Sequence, residues 1–378
     1  MQENRPLNGL KILEFAGIGP APYAGQLLAD LGADVVVVDR PSRGQIGLEH
    51  GVDRRGKRSI VIDLKAPEGA ALAATLASKV DVLIEGNRPG VMERLGLGPA
   101  PLMAKNPALI YARMTGWGQN GPMALQAGHD INYLALTGAL HAIGDADRPP
   151  PPPLNLVGDF GGGSMFLIMG IMAALYGART TGKGQIVDAA IVDGVNSMMG
   201  MFHGLHAFGE WSPERQANWL DGGAPYYRCY QTLDGRFMAV GCIEPKFFAE
   251  MLRLLEISAE QFGAQRDTAK HPAQAAHLES VFASRKMADW AALFEGSDAC
   301  VTPVLTYEEA GDDPHIAARE GLHKYNKMQH PAIAPRFGGL EKTATRIPDD
   351  GEHTIEVMEE FDIDDIGSLL ALGVARQG

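Results

Sequence analysis

Residues 10–39, LKILEFAGIGPAPYAGQLLADLGADVVVVD, decide the fold of this chain. Residues 10–16 form a short apolar run that is typical of a buried strand, and residues 20–31 have the apolar spacing of a helix. Residues 34–39 place four valines between two aspartates, which predicts a second strand. A strand, a helix and a strand in this order predict a βαβ unit, whose two strands lie parallel in one sheet.

The same signals continue through the first half of the chain. We predict further strands at residues 59–64, 81–85, 108–114 and 185–191. A helix is predicted to begin at Pro67, because proline is favoured in a first turn. These elements predict an α/β fold with a Rossmann-like large domain built on a parallel sheet.

A second pattern begins near residue 226. Residues 226–240 predict a β-hairpin that turns at Asp234 and Gly235, and helical patterns follow at 246–255 and 287–294. We therefore predict a smaller α+β domain at 226–325, after a large domain at 1–200 and a linker at 201–225. Residues 326–378 are predicted to return to the large domain. Within that segment, Thr354 is a candidate N-cap for a helix over 354–372.

Composition limits the class of function. The chain has 378 residues, which favours two domains over one core. Its net charge of -13 argues against a nucleic-acid binder, so a polyanionic ligand must meet a local basic cluster. Cys229, Cys242 and Cys300 have no metal-binding spacing and fit a reducing compartment.

Targeting and membrane signals are weak in this sequence. The first fifteen residues predict no secretory signal, and the last three do not form a peroxisomal tripeptide. A cytoplasmic location is therefore the expectation. The longest apolar run, residues 165–176, is too short to span a bilayer and predicts a buried helix.

The loop after the first predicted strand raises a dinucleotide site as an alternative. Gly17 and Gly19 follow that strand, and Asp39 ends the next one, as in a Rossmann fingerprint. Pro22 stands where the fingerprint has glycine or alanine, and Pro20 interrupts the motif. We therefore interpret this loop as a structural turn.

Two later loops carry proton-transfer side chains. His129 lies in GHDINY (128–133), and Asp159 lies in NLVGDFGGG (155–163). An imidazole and a carboxylate can serve as base and acid on opposite faces of one carbon atom near neutral pH. Asp130 adds a third ionisable group beside His129, in a turn where charged groups are costly to bury without a purpose. Asp159 has a competing interpretation as a helix cap.

The chain reaches the second of these loops through five consecutive prolines, residues 149–153, which predict a stiff extended arm. After three glycines, Ser164 is a candidate N-cap for an apolar helix through Tyr176, so we expect Asp159 just before a helix N-terminus. A methionine-rich helix is predicted around Met198 and Met201. Its flexible thioethers suit either a core or a variable acyl ligand.

Basic residues concentrate near the ends of the early predicted strands. The members of this cluster are Arg40, Arg43, Arg54, Arg55, Lys57, Arg58 and Lys65, followed by Arg88 and Arg94. A solvated charged face is one interpretation of such a cluster. Arginine also supplies forked donors that suit phosphate, and α/β folds bind ligands at strand ends, so clustering in an acidic protein favours a phosphate site.

Seven motifs, in this order, resemble those of the α-methylacyl-CoA racemases, within the family III CoA-transferase superfamily. They are LADLGADVVVVDRPS (28–42), EGNRPGVMERLGLGP (85–99), ARMTGWGQNGP (112–122), AGHDINYLAL (127–136), PLNLVGDFGGGSMF (153–166), GKGQIVDAAIVDG (182–194) and LDGGAPYY (220–227). The resemblance covers about residues 7–348. Several long motifs in one order are much more specific than any one of them.

The resemblance implies a role for each matching residue. His129 and Asp159 match the two opposed acid/base groups, and Glu244 matches a glutamate of the second domain that orients the histidine. Asp130 matches the acyl-carrying nucleophile of related CoA-transferases, whereas in racemases its main-chain amide contacts the thioester region. Tyr133 is expected to line the thioester pocket. The matching candidates for binding the CoA phosphates and adenosine are Arg40, Arg55, Lys57, Arg58, Lys65, Arg88 and Arg94.

The resemblance also implies the reaction and the assembly. The reaction is the interconversion of (R)- and (S)-2-methylacyl-CoA thioesters through an enolate. The assembly is an interlocked homodimer, in which each site lies between the large domain of one subunit and the small domain of the other. No separate cofactor or metal is expected, because CoA is part of the substrate. No nucleic-acid partner and no membrane span are expected either.

Two alternatives remain at this point. One is a family III CoA-transferase that uses Asp130 as nucleophile and has no need of a proton relay. The other is a catalytically silent acyl-CoA-binding protein, which would lack the acid/base residues. The sequence leaves open the natural acyl chain and the base that acts on each enantiomer.

Overall fold

The computed structural model describes residues 5–42, 51–325, 328–338 and 346–378. The chain divides into two compact units. The first unit comprises Met1–Thr137, Leu154–Met198 and Ala317–Gly378, and the second comprises Gly138–Pro153 and Met199–Ile316. The domain bounds predicted from the sequence stay a prediction.

The regular elements of the described residues are numbered in chain order. The strands are β1 Lys11–Phe15, β2 Asp34–Asp39, β3 Arg58–Ile62, β4 Val82–Glu85, β5 Ile110–Thr115, β6 Ile186–Ala190, β7 Tyr227–Gln231, β8 Phe237–Gly241, β9 Val301–Pro303, β10 Leu322–Tyr325, β11 Met328–Pro331 and β12 Ala375–Arg376. The helices are α1 Pro20–Asp30, α2 Pro67–Ala77, α3 Val91–Arg94, α4 Pro99–Lys105, α5 Asp130–Leu136, α6 Met165–Thr181, α7 Ile191–Met198, α8 Gly200–Ala207, α9 Pro245–Leu254, α10 Ala259–Phe262, α11 His271–Phe282, α12 Met287–Phe294, α13 Pro314–Ala318, α14 Thr354–Glu360 and α15 Ile366–Ala371. A π-helical stretch, Leu156–Ser164, runs directly into α6.

Seven strands of the first unit form one sheet, in the order β12-β3-β2-β1-β4-β5-β6. Neighbours among β1 to β6 are parallel, and β12 is antiparallel to β3. The predicted α/β fold with a parallel sheet is therefore confirmed. The order reverses between β1 and β4, and doubly wound sheets bind ligands beyond the carboxyl ends of their strands at such a point.

The predicted βαβ opening is confirmed at nearly the predicted residues. The four valines of β2 are buried, as is typical of a parallel strand that is covered on both faces. Helix α1 begins with Pro20, where proline costs no helical hydrogen bond. Gly19, just before it, has a φ of 72°, which glycine adopts without strain. Helix α2 begins at Pro67, also as predicted.

The predicted start of α6 is confirmed, since the helix begins at Met165 with Ser164 at its N-cap position, but the Ser164 side chain does not cap it. Ser164 has helical backbone angles, and its hydroxyl lies 2.8 Å from the carbonyl oxygen of Pro20 instead of capping a helix. The preceding glycines allow the backbone of α7 to approach closely. A Cβ on Gly162 would lie 2.7 Å from a methyl group of Val195, and a Cβ on Gly194 would lie 1.9 Å from the oxygen of Gly162. Asp159 therefore lies inside a helical stretch.

Helix α6 is only partly buried, although the sequence predicts a buried helix. Its buried residues are Leu167, Ile171 and Ala174. Its exposed large apolar residues are Met165, Met169, Met172 and Tyr176, a side that no described element of this chain covers. Together with the π-helical stretch, the helix spans Leu156–Thr181 and is long and apolar enough, by length and composition alone, to cross a membrane.

Two other predicted helices are each divided in two. Met199 separates α7 from α8 in the methionine-rich region. Between α14 and α15, Asp362 and Asp365 have φ angles of 48° and 56°, which interrupt a right-handed helix. Thr354 is not an N-cap but the first residue of α14, and its hydroxyl donates to the carbonyl oxygen of Arg376 at 2.7 Å. This bond ties α14 to β12.

The second unit contains an antiparallel sheet of β7, β8 and β9. The predicted hairpin is confirmed, and Gly235 has a φ of 75° at its turn. The core of the second unit is rich in aromatic side chains: Tyr230 stacks on Phe282, which contacts Trp290 edge-on. The five prolines at 149–153 lie in neither a helix nor a strand, as predicted.

Candidate active site

Two loops at the carboxyl edge of the large sheet lie against the candidate residues. A Cβ built on Gly19, between β1 and α1, would lie 3.2 Å from Oδ2 of Asp159. A Cβ on Gly116, directly after β5, would lie 2.0 Å from Cζ of Tyr133, so only glycine fits there. Asp159 and Tyr133 therefore lie at the edge where α/β folds bind ligands.

Asp130 joins the first turn of α5 to the π-helical stretch. Its Oδ1 accepts a hydrogen bond from the main-chain N–H of Asp159 at 2.6 Å, and the N–H of Gly158 also donates to its carboxyl group. A Cβ on Gly158 would lie 2.2 Å from Oδ1, so this contact requires glycine. Burial raises the pKa of Asp130, and the two amide hydrogen bonds oppose that rise. The carboxylate thus fixes the main chain at Asp159.

Asp159 has a pKa suited to proton transfer near neutrality. Burial and the nearby negative charge of Asp130 raise the pKa of Asp159 to about 6. A hydrogen bond from the Asn155 side chain and the charge of His129 act in the opposite direction. A carboxyl group with a pKa in this range can take a proton or give one at physiological pH.

His129 is held by its main chain and presents its side chain to solvent. Its N–H donates to Oδ1 of Asn132 at 3.0 Å, and the N–H of Asn132 donates to the carbonyl oxygen of His129 at 2.8 Å. These two hydrogen bonds lie at the N-terminus of α5, which begins at Asp130. The charge of His129 lowers the pKa of Asp159, so the two candidate residues lie close enough to interact electrostatically.

Tyr133 lies near Asp159 and Asp130. Its hydroxyl donates to the carbonyl oxygen of Gly128 at 2.5 Å, and its ring meets that of Trp117 edge-on, with the centroids 4.7 Å apart. Burial raises the pKa of Tyr133, as do the charges of Asp159 and Asp130, whereas Arg88 lowers it. Arg88 is therefore close enough to the site to act on it electrostatically.

Four of the basic residues proposed for CoA are exposed. Arg40 follows β2, Lys65 follows β3 and Arg88 follows β4, all on the carboxyl side of their strands, and Arg94 lies in α3. None of the four forms an ion pair with a residue in the described ranges. As far as the described residues show, their cationic groups are available to an anionic ligand.

Three other basic residues of the proposed set bind carboxylates of their own chain. Arg55 forks on Asp30 at 3.1 and 2.5 Å, and Lys57 binds both carboxylate oxygens of Glu14 at 2.8 Å. Both of these basic side chains are buried. Arg58, at the amino end of β3, forks on Asp34 at 2.9 and 2.5 Å and also binds Glu360. The structure therefore does not bring these three to the exposed edge, and Arg43 lies outside the described residues.

The interpretation of the glycine loop as a structural turn agrees with the surroundings of Asp39. In a dinucleotide site, the acid at the end of the second strand binds a ribose hydroxyl. Here the carboxylate of Asp39 accepts two hydrogen bonds from Arg54, at 3.1 and 2.7 Å, and one from Ser59 at 2.5 Å. Its acceptor positions are therefore occupied by the protein.

Glu244 lies in the second unit, at the N-cap position of α9, and is exposed. Burial raises the pKa of the neighbouring Cys300 thiol, and the negative charge of Glu244 raises it further. Among the described residues, no cluster of three or more His, Cys, Asp or Glu side chains could hold a metal ion.

Two residues of the site are missed by the sequence argument. The side chain of Asn155 binds Asp159, and Gly158 admits the carboxylate of Asp130. Asn155 lies one helical turn before Asp159, a spacing that brings side chains together once the stretch is known to be helical. The sequence argument missed that helix because three consecutive glycines are typical of a loop.

The sequence matches the family described as CoA-transferase family III over residues 7–354. It is 43% identical over 359 residues to the alpha-methylacyl-CoA racemase of Mus musculus, with 94% of this chain and 93% of that protein covered. It is 42% identical over 363 residues to the alpha-methylacyl-CoA racemase of Homo sapiens, with the same shares covered. A solved CAIB/BAIF family protein from Brucella suis has a TM-score of 0.81 at 29% identity, covering 95% of this chain and 100% of that one. These similarities extend over both units.

Proposed function

Because this chain belongs to the CoA-transferase family III, we propose that it interconverts (R)- and (S)-2-methylacyl-CoA thioesters by 1,1-proton transfer. Two relatives that are 42–43% identical over nearly the whole chain are named alpha-methylacyl-CoA racemase. The observation that carries the proposal is the pairing of His129 with Asp159, whose pKa is raised to about 6. A two-base racemase needs two such groups at one carbon atom.

The proposed reaction balances without a redox cofactor. One of the two groups removes the α-proton, the electron pair of the broken C–H bond forms a C=C bond, and the π pair of the carbonyl group moves to the thioester oxygen to give an enolate. The other group gives its proton to the opposite face of the same carbon. The first group then holds the proton and the second has lost one, and exchange with water restores both.

The enolate oxygen needs a hydrogen-bond donor, because the α-carbon is a much weaker acid than either catalytic group. The resemblance implies that the main-chain N–H of Asp130 is this donor. That N–H lies in the first turn of α5, where amides have no acceptor within the helix. A well-placed donor of this kind contributes about 3 to 4 kcal/mol to the transition state.

The most direct test uses an enantiopure 2-methylacyl-CoA in D₂O, with no second carboxylic acid. We expect racemisation together with uptake of deuterium at the α-carbon. A CoA-transferase would leave the thioester unchanged until an acceptor acid is added. Transfer of CoA that depends on that acid, with no α-deuterium in the thioester, would contradict the proposed function.

Asp130 distinguishes the racemase from the transferase in a second way. We expect Asp130→Asn to keep kcat within about tenfold of wild type, because an amide oxygen can still accept from the N–H of Asp159, and the loss of the charge acts only by lowering the pKa of Asp159. A transferase would need the carboxylate as nucleophile. Steady-state racemisation by the variant checks this, and complete loss of turnover in a folded variant would favour the transferase.

The exposed side of α6 supports a homodimer. Met165, Met169, Met172 and Tyr176 follow each other at spacings of four, three and four residues, so they form one apolar stripe along the helix. Stripes of this size mark association surfaces. We propose that a second copy of the chain covers this stripe, and that Glu244 of the partner subunit orients His129.

Sedimentation equilibrium tests the dimer. It should give twice the chain mass of 40.4 kDa, and a monomer at micromolar concentration would contradict the dimer.

A further inference from the structure

Two polar side chains of β5 have no part in the proposed proton transfer, yet both are buried. Tyr111 and Arg113 are two residues apart and therefore lie on the same face of the strand. Tyr111 is fully buried, and Arg113 is 8% exposed. A buried charge is retained where it is paired and hydrogen-bonded, so the partners of Arg113 indicate its purpose.

Both side chains bind the segment at residues 86–97, which we call the arginine segment because it carries Arg88 and Arg94. Arg113 Nε donates to Oε1 of Glu85 at 3.0 Å, and its Nη2 donates to Oε1 of Glu93 at 2.5 Å. Glu85 precedes the segment and is the cross-strand partner of Arg113 between β4 and β5. One guanidinium group thus joins the start of the arginine segment to its middle.

Further contacts fix the remaining parts of this segment. The second oxygen of Glu85 accepts from the N–H of Asn87 at 2.7 Å, and the hydroxyl of Tyr111 donates to the carbonyl oxygen of Leu97 at 2.8 Å. Met92 and Leu97 are buried in the core of the first unit. The segment is therefore held at its start, middle and end, while Arg88 and Arg94 stay exposed.

We infer that Arg113 is a positioning residue, which holds the arginine segment so that Arg88 and Arg94 are preorganised for the phosphates of the CoA nucleotide. This inference rests on the proposed function. Arginine suits the task because its planar fork presents donors in fixed directions to two carboxylates at once, whereas lysine carries a compact charge on a flexible stem. A segment ordered before the ligand arrives loses less entropy on binding, so preorganisation increases affinity.

The inference predicts an effect on only one part of the substrate. The nucleotide end of CoA would meet the arginine segment, whereas the thioester end would meet His129 and Asp159. Loosening the segment should therefore weaken binding of CoA and leave binding of an acyl-pantetheine, which lacks the nucleotide, unchanged. A general loss of stability would weaken the binding of both ligands.

The test uses Glu93→Ala, because the Glu93 side chain is 44% exposed and its removal leaves the buried pair of Glu85 and Arg113 intact. Its matched control is Glu309→Ala. The Glu309 side chain is 42% exposed and binds an arginine, Arg236, at 2.6 Å in the second unit. A second variant, Arg113→Lys, keeps a cation beside Glu85 but removes the fork.

Calorimetry with free CoA and with 2-methylacyl-pantetheine gives the affinities. For Glu93→Ala we expect the Kd of CoA, and the KM of the acyl-CoA, to rise about tenfold, with kcat and the Kd of the acyl-pantetheine unchanged. Arg113→Lys should behave in the same way, and Glu309→Ala should behave as wild type. An unchanged Kd for CoA in both test variants, or an equal rise for both ligands, would overturn the inference. If the wild-type protein binds CoA without racemising the thioester, the proposed function fails, and the comparison of affinities still decides the role of Arg113.

Discussion

Replacing Asp159 with asparagine lowers kcat for racemisation by about 10²- to 10⁴-fold, because the amide can neither take nor give a proton. The substitution preserves the shape of the side chain. The native carboxyl group has its pKa raised to about 6 by burial and by the charge of Asp130, against the effects of Asn155 and His129. It therefore changes charge close to neutral pH. Chiral analysis of the thioester over time measures the loss.

Misfolding does not account for such a loss. A carboxyl group whose pKa is raised on folding stabilises the fold at low pH, and this contribution is lost as the pH rises through about 6. A neutral amide at position 159 therefore costs no electrostatic stability at pH 7. Asp188→Asn is the matched control: burial also raises the pKa of Asp188, and its carboxylate accepts from the N–H of Gln119 at 3.2 Å. Turnover of Asp159→Asn near that of this control would remove Asp159 from the mechanism.

The same pKa sets the pH dependence of one direction of the reaction. Below about pH 6, Asp159 in the free enzyme carries a proton and cannot act as a base. For the enantiomer whose α-proton Asp159 removes, kcat/KM should therefore fall as the pH falls below about 6. Asp159→Asn should take up no deuterium from that enantiomer at any pH. Deuterium uptake measured from each pure enantiomer across pH 5 to 8 separates the two directions.

Features that depend on local sequence could be predicted. The four valines of β2, the proline at the start of α1 and the turn at Gly235 are each specified within a few residues, and each lies where it was predicted. The pairing of His129 with Asp130 is equally local. The ionisable residues that carry the proposed chemistry can therefore be recognised without the fold.

Features that depend on sheet order could not be predicted. Asp30 lies 25 residues before Arg55, and Glu14 lies 43 residues before Lys57, so the two ion pairs arise only when α1, β1 and the start of β3 come together. The sequence shows basic side chains but not the carboxylates that bind them. The contact between Glu85 and Arg113 likewise exists because β4 and β5 are neighbours.

The sequence did not predict the helical stretch around Asp159, for a different reason. Three glycines in a row are typical of a loop, and glycine lowers helix stability when nothing packs against it. In the structure, α7 packs so closely on the π-helical stretch that a side chain on Gly162 would collide with Val195. Tertiary packing therefore overrides the local preference. The consequence for the site is that Asp159 is held by a rigid helical backbone.

Replacing His129 with asparagine should lower kcat for racemisation by about 10²- to 10⁴-fold while leaving a specific residual activity. Asparagine is a favourable N-cap residue, so the start of α5 should be retained. With Asp159 intact, the variant can still remove and return a proton on one face of the α-carbon. We therefore expect deuterium uptake with retention of configuration from one enantiomer only, whereas Asp159→Asn should exchange only the other.

This reciprocal pattern separates two opposed bases from one base that serves both faces. If a single group carried both proton transfers, one of the two variants would exchange both enantiomers at the wild-type rate and the other would exchange neither. His277→Ala, which removes an exposed histidine of the second unit, is the control and should racemise as wild type. Mass spectrometry of each separated enantiomer distinguishes the cases. Near-wild-type racemisation by His129→Asn would exclude the histidine as an acid or base. Asp159 alone would then have to reach both faces of the α-carbon, although its helical backbone holds it on one side of that atom.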